Sequence, residues 1–539
     1  MNRIIYIILV AFLTTFFVGC EDMLDLYPED AVSKEVFFSN QNDFELALVG
    51  LYSGLRSYDV KSNDATYGGN LFWDVCSDAL YYQMSWFQPW YDISRGNVNP
   101  NTDQVDFIWR KAYTSINWAN TIIEQLEIKK DVLSEDFARD VKGEAHFIRA
   151  ISYLRLTSVY GAVPMVDKVL TPSEAKLSRT SVEEITNSLI IPDLNIAIEN
   201  LEEMPYGNQW GKATKQAALG MKVRALLYVE DYEGTIQAAE ELMAFADNTR
   251  VGFEPVFDRI FANDNENNGE ILFSIKYRGN GSKEGGSYST PFGPNTIPSL
   301  DPSSINGSWQ ASAISPEYIE SFYMVDGLPS SESPLFDENN PWANRGPRFE
   351  STFYIGDYSV LSTGQLITKA MIGTFNADYK NDYPFNVDKG YMNEDIKLNW
   401  NFEDESDFIV LRYTDVLLMY VEAKIELNQL DDSVYDIINM VRNRAGIAPI
   451  PNGLSQSELR EILRLERKLE FAFEGIRYFD IRRWGIAEEV FAAINSDDPA
   501  NGGYNFGSQK KFLPSNYLWP IPQTAIDVNP NLAPNNPGY

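Results

Sequence analysis

Histidine is almost missing from this chain: His146 is the only one in 539 residues, and there are only two cysteines, Cys20 and Cys76. A charge-relay triad would have to use His146, yet no G-x-S-x-G nucleophile elbow occurs anywhere in the sequence. Zinc sites built from clustered His and Cys are excluded by count. No G-x-x-x-x-G-K-[ST] loop is present, so a P-loop nucleotide site is excluded too, and no cofactor or metal is expected. His146 lies in a strongly helical stretch, Gly143 to Ala150, and reads as a packed helix residue. Cations are scarce as well: 44 Lys and Arg stand against 77 Asp and Glu, a net charge of −33. Such a surface repels nucleic acid and anionic lipid heads, and favours a neutral ligand over a polyanion unless a local basic pocket overrides it. Beyond residue 20 there is no long uncharged apolar run, so no membrane span is expected there. The chemistry left open is that of paired carboxylates of the glycosidase kind, since acids are plentiful.

What is present begins at the first residues. Arg3 precedes an apolar run from Ile4 to Phe17, too short for a comfortable bilayer span but suited to an export signal. Gly19-Cys20 then meets the acidic pair Glu21-Asp22. A small residue before Cys is what bacterial lipoprotein processing requires, so residues 1–19 are expected to be a lipoprotein signal peptide and Cys20 the lipidated residue. Each buried CH₂ of an acyl chain contributes about 0.8 kcal/mol, and two or more chains hold a protein on a membrane stably. With Cys20 used in this way, Cys76 has no partner for a disulfide within the mature chain. Hydrophobic residues at 44% and charged ones at 22% describe a folded globular remainder.

Residues 20–40 read as a tether and 41–250 as a helical-repeat half. Phe44, Ala47, Leu48, Leu51 and Leu55 recur at helical spacing after an Asn42-Asp43 start, and Val105 to Leu126 repeats the rhythm. A helix over 134–160 is apolar on more than one side and stops at Gly161. Further helices are expected at about 181–203, 213–230 and 232–247. The pair Ala217 to Tyr228 and Tyr232 to Phe245, joined by a Glu-Asp turn, has the form of a tetratricopeptide unit. From about 251 to 401, Gly, Pro, Asn and aromatics replace the helical pattern, with short strands such as Ile271 to Ile275; loops of this length are functional or disordered. Helices resume near Val410 and run to about Asn495. The fold expected is mainly α, a tetratricopeptide-like scaffold with a long loop-rich insertion carrying short strands.

The C-terminal half, 251–539, carries a specific resemblance. Leu411 to Lys424, Val441 to Ile447, Glu466 to Gly485, Leu518 to Pro522 and the closing Asn-Pro-Gly-Tyr539 are similar to the SusD/RagB family. So are Gly143 to Pro164, Ser77-Asp78 after Trp73, Pro316 to Phe322 and Asn344 to Arg348. The resemblance implies a SusD-like fold and a surface-exposed, non-catalytic lipoprotein of the outer membrane. It implies that the protein captures oligo- or polysaccharide for a SusC-like TonB-dependent transporter. Within the strongest segment Arg467, Glu470, Glu474 and Arg477 fall on one helical stripe. They are expected to pair with one another as structure, since carboxylates held between guanidinium groups make poor general acids.

Function points to aromatics on irregular segments. Asp78 to Tyr91 holds six aromatic residues. Sugar rings present C–H faces that stack on indole and phenol, while their hydroxyls need amide and carboxylate partners. A stacked sugar hiding roughly 100 Å² of apolar area gains about 2–3 kcal/mol gross, so two or three rings give micromolar to millimolar capture. By the resemblance, part of an aromatic arc follows Ser77-Asp78, which puts Tyr81, Tyr82 and Trp86 forward. The other part precedes the Pro316 helix, where Tyr288 and Trp309 stand. Trp90 is a further candidate, and Asp78, Gln83 and Arg278 could bond hydroxyls. Trp73, Trp109 and Trp118 lie in or beside helices and are expected in the core. Two alternatives stand beside glycan capture: a peptide-binding RagB-type lid, and a carboxylate-based glycoside hydrolase.

Overall fold

The computed structural model describes residues 37–56, 70–82, 88–203, 211–246, 251–278, 285, 311–361, 364–368, 385–389, 405–494 and 510–539. The expected leader, Cys20 and nearly all of the tether lie outside the described residues.

The architecture is a series of helices in which each packs on its neighbour in the chain. Helix α1 (Gln41–Ser53) has its N-cap at Asn40, two residues before the expected Asn42: Asp43 accepts the N–H groups of Ser39 and Asn40 at 2.9 and 3.1 Å, closing the first turn. Helix α2 (Asp103–Ile128) lies against α3 (Glu135–Tyr160), α3 against α4 (Ile191–Asn200), α4 against α5 (Lys215–Tyr228) and α5 against α6 (Tyr232–Met243). This is the tetratricopeptide-like stacking that small residues such as Ala217, Ala218, Ala238 and Ala239, all buried, permit. The array does not end with the first half. Helix α6 packs directly on α7 (Tyr413–Glu426), which packs on α8 (Asp432–Arg444) and α9 (Gln456–Glu470), so the loop-rich insertion is spliced into one continuous scaffold. Short α10 (Arg477–Arg483) follows.

Helix α3 is buried on nearly every side, as its two-sided apolar pattern requires, and begins at Ser134, whose hydroxyl accepts the Phe137 N–H. It ends at Gly161, where φ is +72°, a conformation that favours glycine. Helix α4 is entered through a short turn (Val182–Ile185) and a π-helical segment (Thr186–Ile190), so the single helix expected over 181–203 is broken in register.

Three two-stranded antiparallel ladders stand among the described residues. Strand β1 (Leu80–Tyr82) pairs with β3 (Ser312–Ile314), β2 (Ile271–Ile275) with β6 (Phe408–Arg412), and β4 (Phe353–Ile355) with β5 (Phe385–Val387). The β2/β6 ladder lies on α5 at Gly220, where a Cβ would come within 2.5 Å of a Leu411 methyl. Among the described residues no helix is long and apolar enough to cross a membrane, and no group of three His, Cys, Asp or Glu side chains is placed to hold a metal ion.

Candidate functional site

The register of the β1/β3 ladder sets the geometry of the expected arc. Leu80 faces Ile314, Tyr81 faces Ala313 and Tyr82 faces Ser312. Because the strands are antiparallel, the chain enters residues 83–87 and leaves residues 286–310 at the same end of this ladder. Trp86 and Gln83 belong to the first of those segments, Tyr288 and Trp309 to the second, and all four lie outside the described residues. The Ser315 N–H extends the pairing by donating to the Ala79 carbonyl at 2.9 Å.

The base of the ladder is core, which corrects three aromatic assignments. Tyr81 is 5% exposed, and Tyr82 and Trp90 are fully buried. Trp90 packs its ring on Phe72 at 4.3 Å between centroids, and the Lys510 ammonium sits 5.0 Å from the Tyr81 ring. Lys510 itself is buried and donates to the carbonyls of Val75 and Leu80; burial lowers its amine to about 7. Rings buried in this way are part of the core and present no face for a sugar to stack on.

Asp78 is also corrected. Its carboxylate is buried and gripped by Arg477, with the Lys468 ammonium 3.4 Å away. Burial alone would raise this carboxyl, but the charges of Arg477 and Lys468 hold it well below the usual carboxylate range. Arg278, just past β2, is exposed. Trp73 and Trp109 are buried as expected, whereas Trp118 is 48% exposed on the outer side of α2.

The signature segment is structural, with partners other than those expected. Helix α9 ends at Glu470, and Phe473 and Gly475 take positive φ in the turn that follows, so no single stripe runs on to Arg477. Glu470 accepts from Arg412 and Arg444 at 2.8 and 2.6 Å through one oxygen and from Arg348 at 3.2 Å through the other. Glu474 accepts from Arg412 and Lys389. Arg467 turns instead to Asp415 and Asp480, each at 2.9 Å. Burial opposes the Glu470 charge, but the three arginines hold this carboxyl far below its usual range. A carboxylate so held keeps its charge and cannot serve as a general acid near neutrality. His146 is buried with Nδ1 2.6 Å from Asp193, which Arg149 also grips. Cys76 is buried, and burial pushes its thiol up to about 12.

Comparison with known proteins gives the family and the fold. Residues 269–539 match the SusD family model, and residues 22–227 match a second one described as starch-binding and associating with the outer membrane. A SusD-like protein of Formosa agariphila is 26% identical, the match covering 100% of this chain and 99% of the relative. The crystal structure of a SusD-like carbohydrate binding protein from Bacteroides fragilis is 28% identical and superposes with a TM-score of 0.77, over 92% of this chain and 99% of the other. Surface glycan-binding protein A of Bacteroides thetaiotaomicron, solved in complex with laminarihexaose, has the same fold at 20% identity and a TM-score of 0.70, over 92% and 100% of the two chains. With the helical array, the buried arginine–carboxylate signature and the family match over half its length, this chain belongs to the SusD family.

Proposed function

We propose that this protein is a surface-exposed, lipid-anchored glycan-binding protein that captures oligo- or polysaccharide without cleaving it. In this reading it delivers the glycan to a SusC-like TonB-dependent transporter. One observation carries the site: the β1/β3 ladder brings the segments bearing Trp86 and Trp309 to the same end. Trp86 follows Tyr82 by four positions and Trp309 precedes Ser312 by three. A chain spans at most about 3.6 Å per residue, so these short separations bound how far either position can lie from that end. Trp86 and Trp309 are the stacking rings, with Tyr288, Gln83 and Arg278 as further contacts. Burial of Tyr81, Tyr82, Trp90 and Asp78 moves those four from contact to support.

The non-catalytic reading is supported by the fate of the signature acids, which are buried among guanidinium groups. The family's carbohydrate-binding members, one with laminarihexaose bound, favour sugar over peptide as cargo. Cys20 in its leader context supports the anchor. A glycan array probed with the purified protein, followed by calorimetry against a matched peptide panel, tests the assignment. Binding to one glycan class without release of reducing ends is expected. Peptide binding in the absence of any glycan binding overturns it.

A further inference from the structure

A cleft of about 280 Å³ opens between α3, α5, α10 and the turn at Val182. Leu154, Val182, Ala225, Val229 and Leu518 make its walls largely apolar, and among the described residues no Asp or Glu lines it, in a chain with 77 acids. Val182, Tyr228, Tyr517 and Leu518 are half-buried, so the cleft meets solvent. A cavity of roughly 150 Å³ already admits benzene, and ordinary small-molecule sites begin near about 300 Å³, so the space fits one ring and a substituent. Thr186, the first residue of the π-helical segment, also lines it, and such segments recur at functional sites.

One cation in this cleft is unbalanced. Among the described residues the other buried arginines, from Arg149 to Arg477, each grip a carboxylate. Arg482 is 8% exposed and forms no ion pair among them; it donates Nε and Nη2 to a single acceptor, the Tyr517 carbonyl, and rests 4.8 Å from the Tyr478 ring centroid. Its neighbour Arg483 is taken up by Glu422 and Asp480. A buried guanidinium has five N–H donors and a full charge, and one carbonyl uses little of either. Tyr228 supplies a second polar group. Its hydroxyl makes no hydrogen bond among the described residues, and burial holds the phenol above its usual range, so it stays a donor. Thr157 and Ser158, by contrast, spend their hydroxyl hydrogens on carbonyls of α3. The narrower recess that shares Tyr228 with the cleft contains Glu474, which Arg412 and Lys389 already hold.

Apolar walls around one uncompensated guanidinium and one unspent hydroxyl match a compact apolar body that ends in an anion. A sugar would leave most of its hydroxyls unpaired there. We infer that this cleft is a second ligand site that takes a small aromatic carboxylate, the anion bonded by Arg482 and Tyr228 and the ring held among Leu154, Val182, Ala225 and Leu518. None of the lining belongs to the β1/β3 ladder, so the site does not rest on the glycan reading above: loss of binding at Trp86 and Trp309 leaves it intact.

Calorimetry of the purified protein with benzoate, benzamide and acetate tests the inference. Benzamide keeps the ring and removes the charge; acetate keeps the charge and removes the ring. Benzoate is expected to bind at least about tenfold more tightly than either. Arg482→Gln should abolish the preference for benzoate over benzamide. Tyr228→Phe keeps the ring in place and should weaken benzoate about threefold or more without lowering the melting temperature. Should Arg482→Gln fold poorly, Tyr228→Phe and the comparison with benzamide decide the matter. Absence of benzoate binding, equal binding of benzoate with benzamide or with acetate, or indifference of benzoate to the substitutions overturns it.

Discussion

Arg477 holds Asp78 by two prongs, Nε to Oδ1 at 2.8 Å and Nη2 to Oδ2 at 3.1 Å, joining residues 399 positions apart in the chain. Beside this pair, the Gly475 N–H donates to Asp74 at 2.8 Å. Two stretches of family resemblance, one in each half of the sequence, are thus bolted together directly beneath β1. Removing one partner of a buried ion pair strands the other, which costs about 3–5 kcal/mol. Asp78→Ala should therefore lower the urea midpoint markedly, and any loss of ligand affinity should follow the folded fraction. A variant of normal stability that no longer binds glycan would return Asp78 to the ligand.

Glu470 gives the parallel case for the signature segment. Three guanidinium groups converge on its carboxylate, and Arg412 and Arg444 also share Glu270. Glu470→Gln leaves that cluster with excess buried positive charge, and a loss of roughly 3 kcal/mol or more is expected. Hydrolysis measured on labelled glycans should be absent before and after the change. Turnover by the parent chain that disappears with Glu470→Gln would make this carboxylate catalytic after all.

The scaffold was legible because its signals are local. The 3.6-residue period, Ser134 at the start of α3, Gly161 at its end and alanines at the α5–α6 contact each act within a turn or two of the chain. Long-range pairing was not legible. Nothing in the spacing of Arg467, Glu470, Glu474 and Arg477 says that the chain turns at Phe473 or that Arg412 arrives from β6. Nor does a dense aromatic stretch say which rings face inward: residues 80–82 pair with β3 and are buried, and Trp90 packs on Phe72. Trp118 could have been placed from its phase alone. Thr114 and Asn117 share its exposed side of α2, while Ala112, Ser115, Ile116 and Ala119 are buried.

Glu266 sets a pH dependence whose sign can be worked out. Burial, reinforced by the charge of Asp407, raises its carboxyl from 4.5 to about 7. Between those values the folded protein keeps a proton that the unfolded chain has lost, so stability falls as pH rises through the window. Gln at this position reproduces the protonated form and still accepts the Asp407 N–H that Glu266 Oε1 accepts at 2.8 Å. Glu266→Gln should melt close to the parent protein at pH 5 and above it at pH 8. Parallel melting curves at both values would show that Glu266 titrates normally.

The tryptophans near the β1/β3 ladder should separate into two classes. Trp90 is fully buried, and truncating a core Trp to Ala costs about 3–5 kcal/mol, so Trp90→Ala should unfold in much less urea. Trp86 and Trp309 belong to the segments that adjoin the ladder at its Tyr82–Ser312 end. If each stacks on a sugar, losing one contact worth about 1.4 kcal/mol lowers affinity tenfold. Trp86→Ala and Trp309→Ala should therefore each weaken glycan binding at least about tenfold while the urea midpoint stays near that of the parent. Calorimetry and urea titration of the three variants side by side distinguish the classes. Unchanged affinity in both Trp86→Ala and Trp309→Ala would remove the platform from this end of the ladder, whatever Trp90→Ala does to stability.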